Sequence, residues 1–257
     1  MPDDAAGVRF TVLDTAESLD ENRLTDVYAY PDALQSSWVR GNMIASLDGG
    51  ATTDGKSGGL GGPGDRAVFA VMRQLADVVL VGAGTVRAEN YSGAQFSPAQ
   101  RQARQRRGQA EVPPIAVLTN SAMLDHDAKL FTRTEVPPLI LTCTEAVGDA
   151  TGRLGSVAEI IDASGPRPDR ADAAAALKAL ADRGLLRVLV EGGPGILGLL
   201  IEHDLLDELC MTVAPLLVGG AAQRIATGPG QVHTQMQRGH LLTDEAGYLY
   251  ARYVTGR

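Results

Sequence analysis

A chain of 257 residues with 44% hydrophobic and 21% charged residues has the composition of a globular protein, which excludes disorder as its main state. Its 23 basic and 31 acidic residues sum to −8, which argues against a nucleic-acid coat or an anionic membrane surface as the main partner and leaves an anionic ligand only a local site. The length admits one large α/β domain or two small ones.

The N-terminal stretch Met1 to Gly7 is acidic and lacks the basic and apolar regions of a secretion signal, so no export is expected. Residues 1–36 read as an extension packed onto a main body spanning 37–257. Trp38 to Ala45 is a plausible strand stopped by Asp48-Gly49-Gly50. Asp65 is placed to cap a helix whose apolar face is Val68, Phe69, Val71, Met72 and Leu75. Val78 to Val81 is a continuous apolar run, as expected of a strand covered on both faces; Ile115 to Leu118 and Leu139 to Leu141 read as further strands, and Arg187 to Val190 as another buried one. Val157 to Asp162 is a weaker strand, and Asp169 to Gly184 is the clearest helix. A helix near Ile196 to His203, a long strand over Glu208 to Val218 and a hairpin over Leu241 to Val254 close the chain. This order predicts an α/β protein with one mixed, mostly parallel sheet covered by helices and an antiparallel C-terminal hairpin.

No apolar run approaches the roughly 20 residues of a membrane span. Cys143 and Cys210 have no His or Cys at metal-ligand spacing, so no metal site is expected; both read as buried small hydrophobes in a reducing cytoplasm. The segment Gln100 to Gln109, with Arg101, Arg104, Arg106 and Arg107, reads either as a solvated loop or helix end or as a lid whose arginines meet a phosphate.

Three glycine-rich turns carry the functional signal. Gly50 to Ser57 matches the P-loop pattern G-x-x-x-x-G-K-S, but Gly58-Gly59-Leu60-Gly61-Gly62-Pro63 cannot continue the helix that a P-loop opens, so the match reads as accidental. Val81-Gly82-Ala83-Gly84-Thr85-Val86 follows a buried strand and lets backbone approach a pyrophosphate, or is merely a tight turn. Glu191-Gly192-Gly193-Pro194-Gly195 ends another strand and opens a helix, a second anion site. Glu191 there either binds a ligand hydroxyl or N–H group or caps a neighbouring loop. Two such turns in one sheet suit a dinucleotide.

Asn42 to Gly49, Ala76 to Val86 and Val188 to Pro194, with Ala214-Pro215 and Gly219-Gly220, resemble the reductase domain of riboflavin biosynthesis, in a free-standing form, over residues 38–254. The resemblance implies a dihydrofolate-reductase-like fold, NADPH as cofactor and a cytoplasmic homodimer. It also implies a pyrimidine substrate whose phosphoribosylamino group becomes ribitylamino. By position it implies cofactor contacts at Gly82, Gly84, Thr85 and Val86, at Gly192, Gly193 and Pro194, at Thr53 and Asp54, and at Thr119, Asn120 and Ser121 near a 2′-phosphate. Asn42, Ser46, Asp48, Arg66 and Glu191 are the expected substrate contacts, with Asp48 and Glu191 catalytic.

Two departures from the family pattern matter: Asn42 stands where many bacterial members carry lysine, although asparagine also occurs there, and Ala88 to Gln95 lacks the arginine that grips the substrate phosphate, leaving Arg66 or the Arg101 to Arg107 segment to replace it. This raises dihydrofolate, a pterin, as an alternative substrate on the same fold. The competing classes are a P-loop NTPase dependent on Lys56 and a non-catalytic nucleotide-binding protein.

Overall fold

The computed structural model describes residues 21–256, so the part of the N-terminal extension before Glu21 lies outside the described residues. Its strands are β1 (Trp38–Ser46), β2 (Val78–Gly82), β3 (Ile115–Leu118), β4 (Leu139–Thr142), β5 (Glu159–Asp162), β6 (Arg187–Val190), β7 (Glu208–Ala214), β8 (Met236–Thr243) and β9 (Leu249–Thr255). Among the described residues they form one sheet in the order β5-β4-β3-β2-β6-β1-β7-β9-β8. All neighbours from β5 to β7 are parallel, while β9 runs antiparallel to both β7 and β8. The sheet is therefore mixed and mostly parallel, ending in an antiparallel hairpin.

The helices are α1 (Glu21–Val27), α2 (Pro63–Leu75), α3 (Ala83–Glu89), α4 (Pro98–Arg106), α5 (Lys129–Thr132), α6 (Thr144–Leu154), α7 (Ala173–Ala181) and α8 (Pro194–Glu202). The continuous apolar runs have a simple cause. Side chains alternate across a strand, so Val79, Val81, Ile115, Val117 and Ile140 enter a core with α2, whereas Val78, Leu80, Ala116, Leu139 and Leu141 enter one with α7 and α8. With helices on both faces, neither set of side chains can be polar.

Several boundaries differ from expectation. The cap of α2 is Gly62 with Pro63 in its first turn, so Asp65 lies inside the helix rather than at its cap. Helix α7 starts at Ala173, where the Asp172 side chain accepts the Ala175 N–H. Strand β7 stops at Ala214, before Pro215, and Gly219 and Gly220 adopt φ of 66° and 64°, which ends the ladder short of Val218.

The arginine-rich segment forms α4, and its side chains are used in packing. Arg104 is fully buried and donates to the carbonyls of Gln74, Ala76 and Ala110, closing the C-terminal end of α2. Arg101 pairs with Glu135, and Arg107 donates to the Gln74 carbonyl. None of them lines the main cavity, so the segment is not a phosphate lid. Tyr28 and Tyr30, from the described part of the extension, are buried in the core with α2.

Candidate active site

Strand β6 returns to lie between β2 and β1, a point of reversed strand order where open α/β sheets place ligands. A cavity of about 820 Å³ opens there, beyond the C-terminal ends of these strands. Asn42 to Ile44 of β1, one side of α2, and the starts of α3 and α8 form its walls.

Two glycine turns meet in this cavity. The Gly82 N–H donates to the Gly192 carbonyl at 2.9 Å, and a Cβ at Gly193 would stand 2.6 Å from Thr85 Oγ1, so the turns pack backbone to side chain. Neither α3 nor α8 has a side-chain cap, which leaves first-turn N–H groups available to a ligand. Gly84 and Gly195 line the cavity, and a Cβ on either would meet no atom within 4 Å, so both backbones stand bare toward open space. This donor set fits the pyrophosphate of a dinucleotide. Gly82, Gly84, Thr85, Gly193 and Pro194 all line the wall. Val86 is buried beneath it, and Gly192 joins the turns from behind.

Glu191, at the end of β6, is almost fully buried and faces the cavity. Arg73 of α2 donates to it through Nε and Nη2, each at 2.7 Å, and the Tyr91 hydroxyl donates to the same carboxylate. Burial alone disfavours the charged form of Arg73, but the Glu191 carboxylate more than offsets it, so the guanidinium stays protonated. Burial, and then the charge of Glu191, push the Tyr91 hydroxyl well above its ordinary value. Phe69 stacks on Arg73, with the guanidinium carbon 4.4 Å from the ring centroid.

Asn42 and Arg66 also line this cavity, but Ser46 and Asp48 do not. The Asp48 carboxylate accepts the Ser46 hydroxyl and the N–H groups of Val218 and Gly219, at 3.1 and 2.6 Å, while Ser46 Oγ accepts the Gly50 N–H. Both residues tie the turn after β1 to the loop after β7, and their side chains are spent there. Thr53 pairs with Lys56 around Asp54-Gly55, whose φ values of 51° and 78° make a tight turn. Thr52 and Gly55 line the main cavity, whereas Asp54 borders an adjoining hollow with Val218 and Gly219. No helix follows Lys56 until Pro63, and Ser57 donates to Glu89 through N and Oγ, so the P-loop geometry is absent. Thr119, Asn120 and Ser121 lie past β3 outside the cavity wall: Asn120 Oδ1 accepts the Ala171 N–H, and Thr119 Oγ1 the Ala122 N–H.

The hydrogen bonds from Ser46, Val218 and Gly219 hold the Asp48 carboxyl down at about 2. A depressed folded-state value adds stability that is complete above the unfolded value of about 3.9 and is lost as pH falls toward 2. Amide exchange at Val218 and Gly219 is therefore expected to quicken through that window in the native protein and to be fast at neutral pH in Asp48→Ala. Equal exchange in both proteins at neutral pH would remove Asp48 as the anchor of this loop.

Arg73, Phe69, Tyr91 and Asp65 were not among the residues expected to function. The available signal is a helical row: Asp65, Phe69 and Arg73 recur every four residues on α2 and all line the cavity.

The model of the RibD C-terminal domain matches residues 37–250. The chain is 27% identical over 180 residues to the 2,5-diamino-6-ribosylamino-4(3H)-pyrimidinone 5′-phosphate reductase of Archaeoglobus fulgidus, covering 70% of this chain and 80% of that protein. It is 29% identical over 196 residues to the riboflavin biosynthesis protein RibD of Bacillus amyloliquefaciens, covering 75% of this chain but only half of that longer protein. A crystal structure of a pyrimidine reductase-like protein from Corynebacterium diphtheriae superposes with a TM-score of 0.79 at 26% identity, covering 91% of this chain and 98% of that one. The Rib7 reductase of Saccharomyces cerevisiae shares the fold, with a TM-score of 0.67 at 16% identity over 91% of this chain and 98% of that one. With a sheet, a cavity and a sequence match that coincide over most of its length, this chain belongs to the RibD C-terminal domain family.

Proposed function

We propose that the protein is an NADPH-dependent pyrimidine reductase that reduces a C=N-type carbon of a ribosylaminopyrimidine. The observation that carries this reading is the pairing of two uncapped, glycine-lined helix starts with the buried Glu191 carboxylate in one cavity. The nucleotide, when bound, supplies the hydride. The chain supplies positioning: Gly84, Thr85, Gly193 and Gly195 present backbone to the pyrophosphate, and Glu191, held by Arg73 and Tyr91, offers fixed acceptor oxygens to the heterocycle. Asn42 and Arg66 extend the substrate wall. The reading includes a homodimer in the cytoplasm, with a small-molecule substrate and neither nucleic acid nor membrane as partner. Among the described residues no helix is long and apolar enough to cross a membrane.

A pterin such as dihydrofolate is the second reading, and one observation favours it. At the C-terminal end of α3, Glu89 is turned onto Ser57, no arginine occurs between Ala88 and Gln95, and α4 sends no arginine into the cavity. Arg66 is then the one cavity cation, among the described residues, without a paired carboxylate comparable to that of Arg73, a modest site for a phosphate dianion.

Calorimetric titration with NADPH, NADH and ATP tests the cofactor. NADPH is expected to bind at least about tenfold more tightly than either competitor, a difference of ~1.4 kcal/mol. Preference for ATP would instead revive the NTPase reading.

A further inference from the structure

Reducing a C=N bond consumes a proton at nitrogen as well as hydride at carbon, and the proton needs a donor in the cavity. Among the described residues three carboxyl groups line it: Asp65, Glu89 and Glu191. Glu89 accepts the Ser57 N–H and hydroxyl at 2.7 and 2.9 Å, and Glu191 accepts two Arg73 N–H groups and the Tyr91 hydroxyl. Both side chains are taken up as acceptors of these bonds. The Tyr91 proton is itself committed to Glu191.

Asp65 differs. It sits in the first turn of α2, against the buried Thr212 hydroxyl of β7, whose register partner on β1 is the cavity residue Ile44. Gly61 leaves room beside it, since a Cβ there would stand 2.7 Å from Asp65 Oδ2. The groups facing it are Arg66 from its own helix, Thr212 from β7 and Tyr250 from β9, whose hydroxyl is turned away onto Asp244 at 2.6 Å. Among the described residues no cation grips Asp65 at two points, as Arg73 grips Glu191.

We propose that Asp65 is the proton donor of the reduction. Its O–H bond breaks and an N–H bond forms on the substrate nitrogen. The C=N carbon meanwhile accepts hydride from the reduced nicotinamide nucleotide, which loses two electrons, and solvent then reprotonates Asp65. Burial supports this role by raising the Asp65 carboxyl above its ordinary value, against the opposite pulls of Thr212 and Arg66. The role rests on the reductase reading.

The test uses the full chain and the variants Asp65→Asn and Asp65→Glu. Carboxyl-labelled NMR, assigned by difference against Asp65→Asn, is expected to show titration above the ordinary aspartate value of about 3.9. Turnover in Asp65→Asn should fall at least about 100-fold while the NADPH dissociation constant stays within about threefold. Asp65→Glu should restore part of the rate with a displaced pH profile. Titration at or below the ordinary value, or near-native turnover in Asp65→Asn, overturns the proposal and leaves the reductase reading intact. If Asp65→Asn does not fold, an unchanged pH profile in Asp65→Glu overturns it instead. A wild-type protein that oxidises NADPH with neither pyrimidine nor pterin sinks the reductase reading, and the donor role with it.

Discussion

Arg73→Met is expected to lower kcat/KM by at least about 100-fold, the scale on which loss of a positioned donor is felt in a closed site. The cause is the partner left behind. Glu191 is almost fully buried, and without the guanidinium its carboxylate keeps only the Tyr91 hydroxyl among the side chains that hold it. An uncompensated buried carboxylate takes up a proton, so the variant should regain activity as pH rises above neutral, where the native protein shows no such gain. A pH–rate profile of both proteins reads this directly. If the variant loses activity equally at every pH, Arg73 does not act by keeping Glu191 ionised.

Glu208→Gln is expected to produce the largest loss of stability in the chain, about 3–5 kcal/mol. Glu208 is fully buried and pairs with Arg40, also fully buried, and with Arg252. It also accepts the Trp38 Nε1–H at 2.9 Å. Its own burial disfavours the carboxylate, but Arg40 and Arg252 together outweigh that and hold it below its usual range. The glutamine leaves two guanidinium groups facing a neutral amide, one of them stacked on Tyr30 with no path to water. Arg252→Met, by contrast, keeps the Arg40–Glu208 pair and removes a side chain that is 18% exposed, so it should cost less than half as much. Thermal unfolding compares them: roughly 2–4 °C per kcal/mol in a chain of this size places Glu208→Gln about 10 °C below the native protein. Equal melting temperatures for the two variants would show that the cluster is not organised around Glu208.

Strands β2, β3 and β4 were legible in the sequence because burial on both faces leaves them few polar positions. Val78 to Val81, buried throughout, shows this plainly. Helices α3 and α6 were not legible. The first carries Gly84 and the β-branched Thr85 and Val86, and the second carries Gly148 and Gly152 without a capping side chain, so tertiary packing overrides weak local preference. Of the cavity lining, Gly82, Gly84, Thr85, Glu191 and Gly193 were legible because a strand end fixes where the following turn points. Arg73 was not, since an arginine on a helix reads as solvated until its partner, 118 positions later, is brought beside it. The same limit hid the partners of Asp48, which lies outside the main cavity. It has the residue type of a site acid, but the N–H groups that consume it lie 170 and 171 positions away.

The measurement closest to the central claim is NADPH oxidation by the purified protein, followed with 2,5-diamino-6-ribosylamino-4(3H)-pyrimidinone 5′-phosphate and separately with dihydrofolate, with products identified by mass. The account predicts NADPH consumption with the pyrimidine and a product carrying two additional hydrogens, slowed at least about 100-fold in Arg73→Met at neutral pH. Consumption with dihydrofolate alone would shift the substrate to the pterin reading. Tight NADPH binding with no oxidation in the presence of either compound would contradict the account.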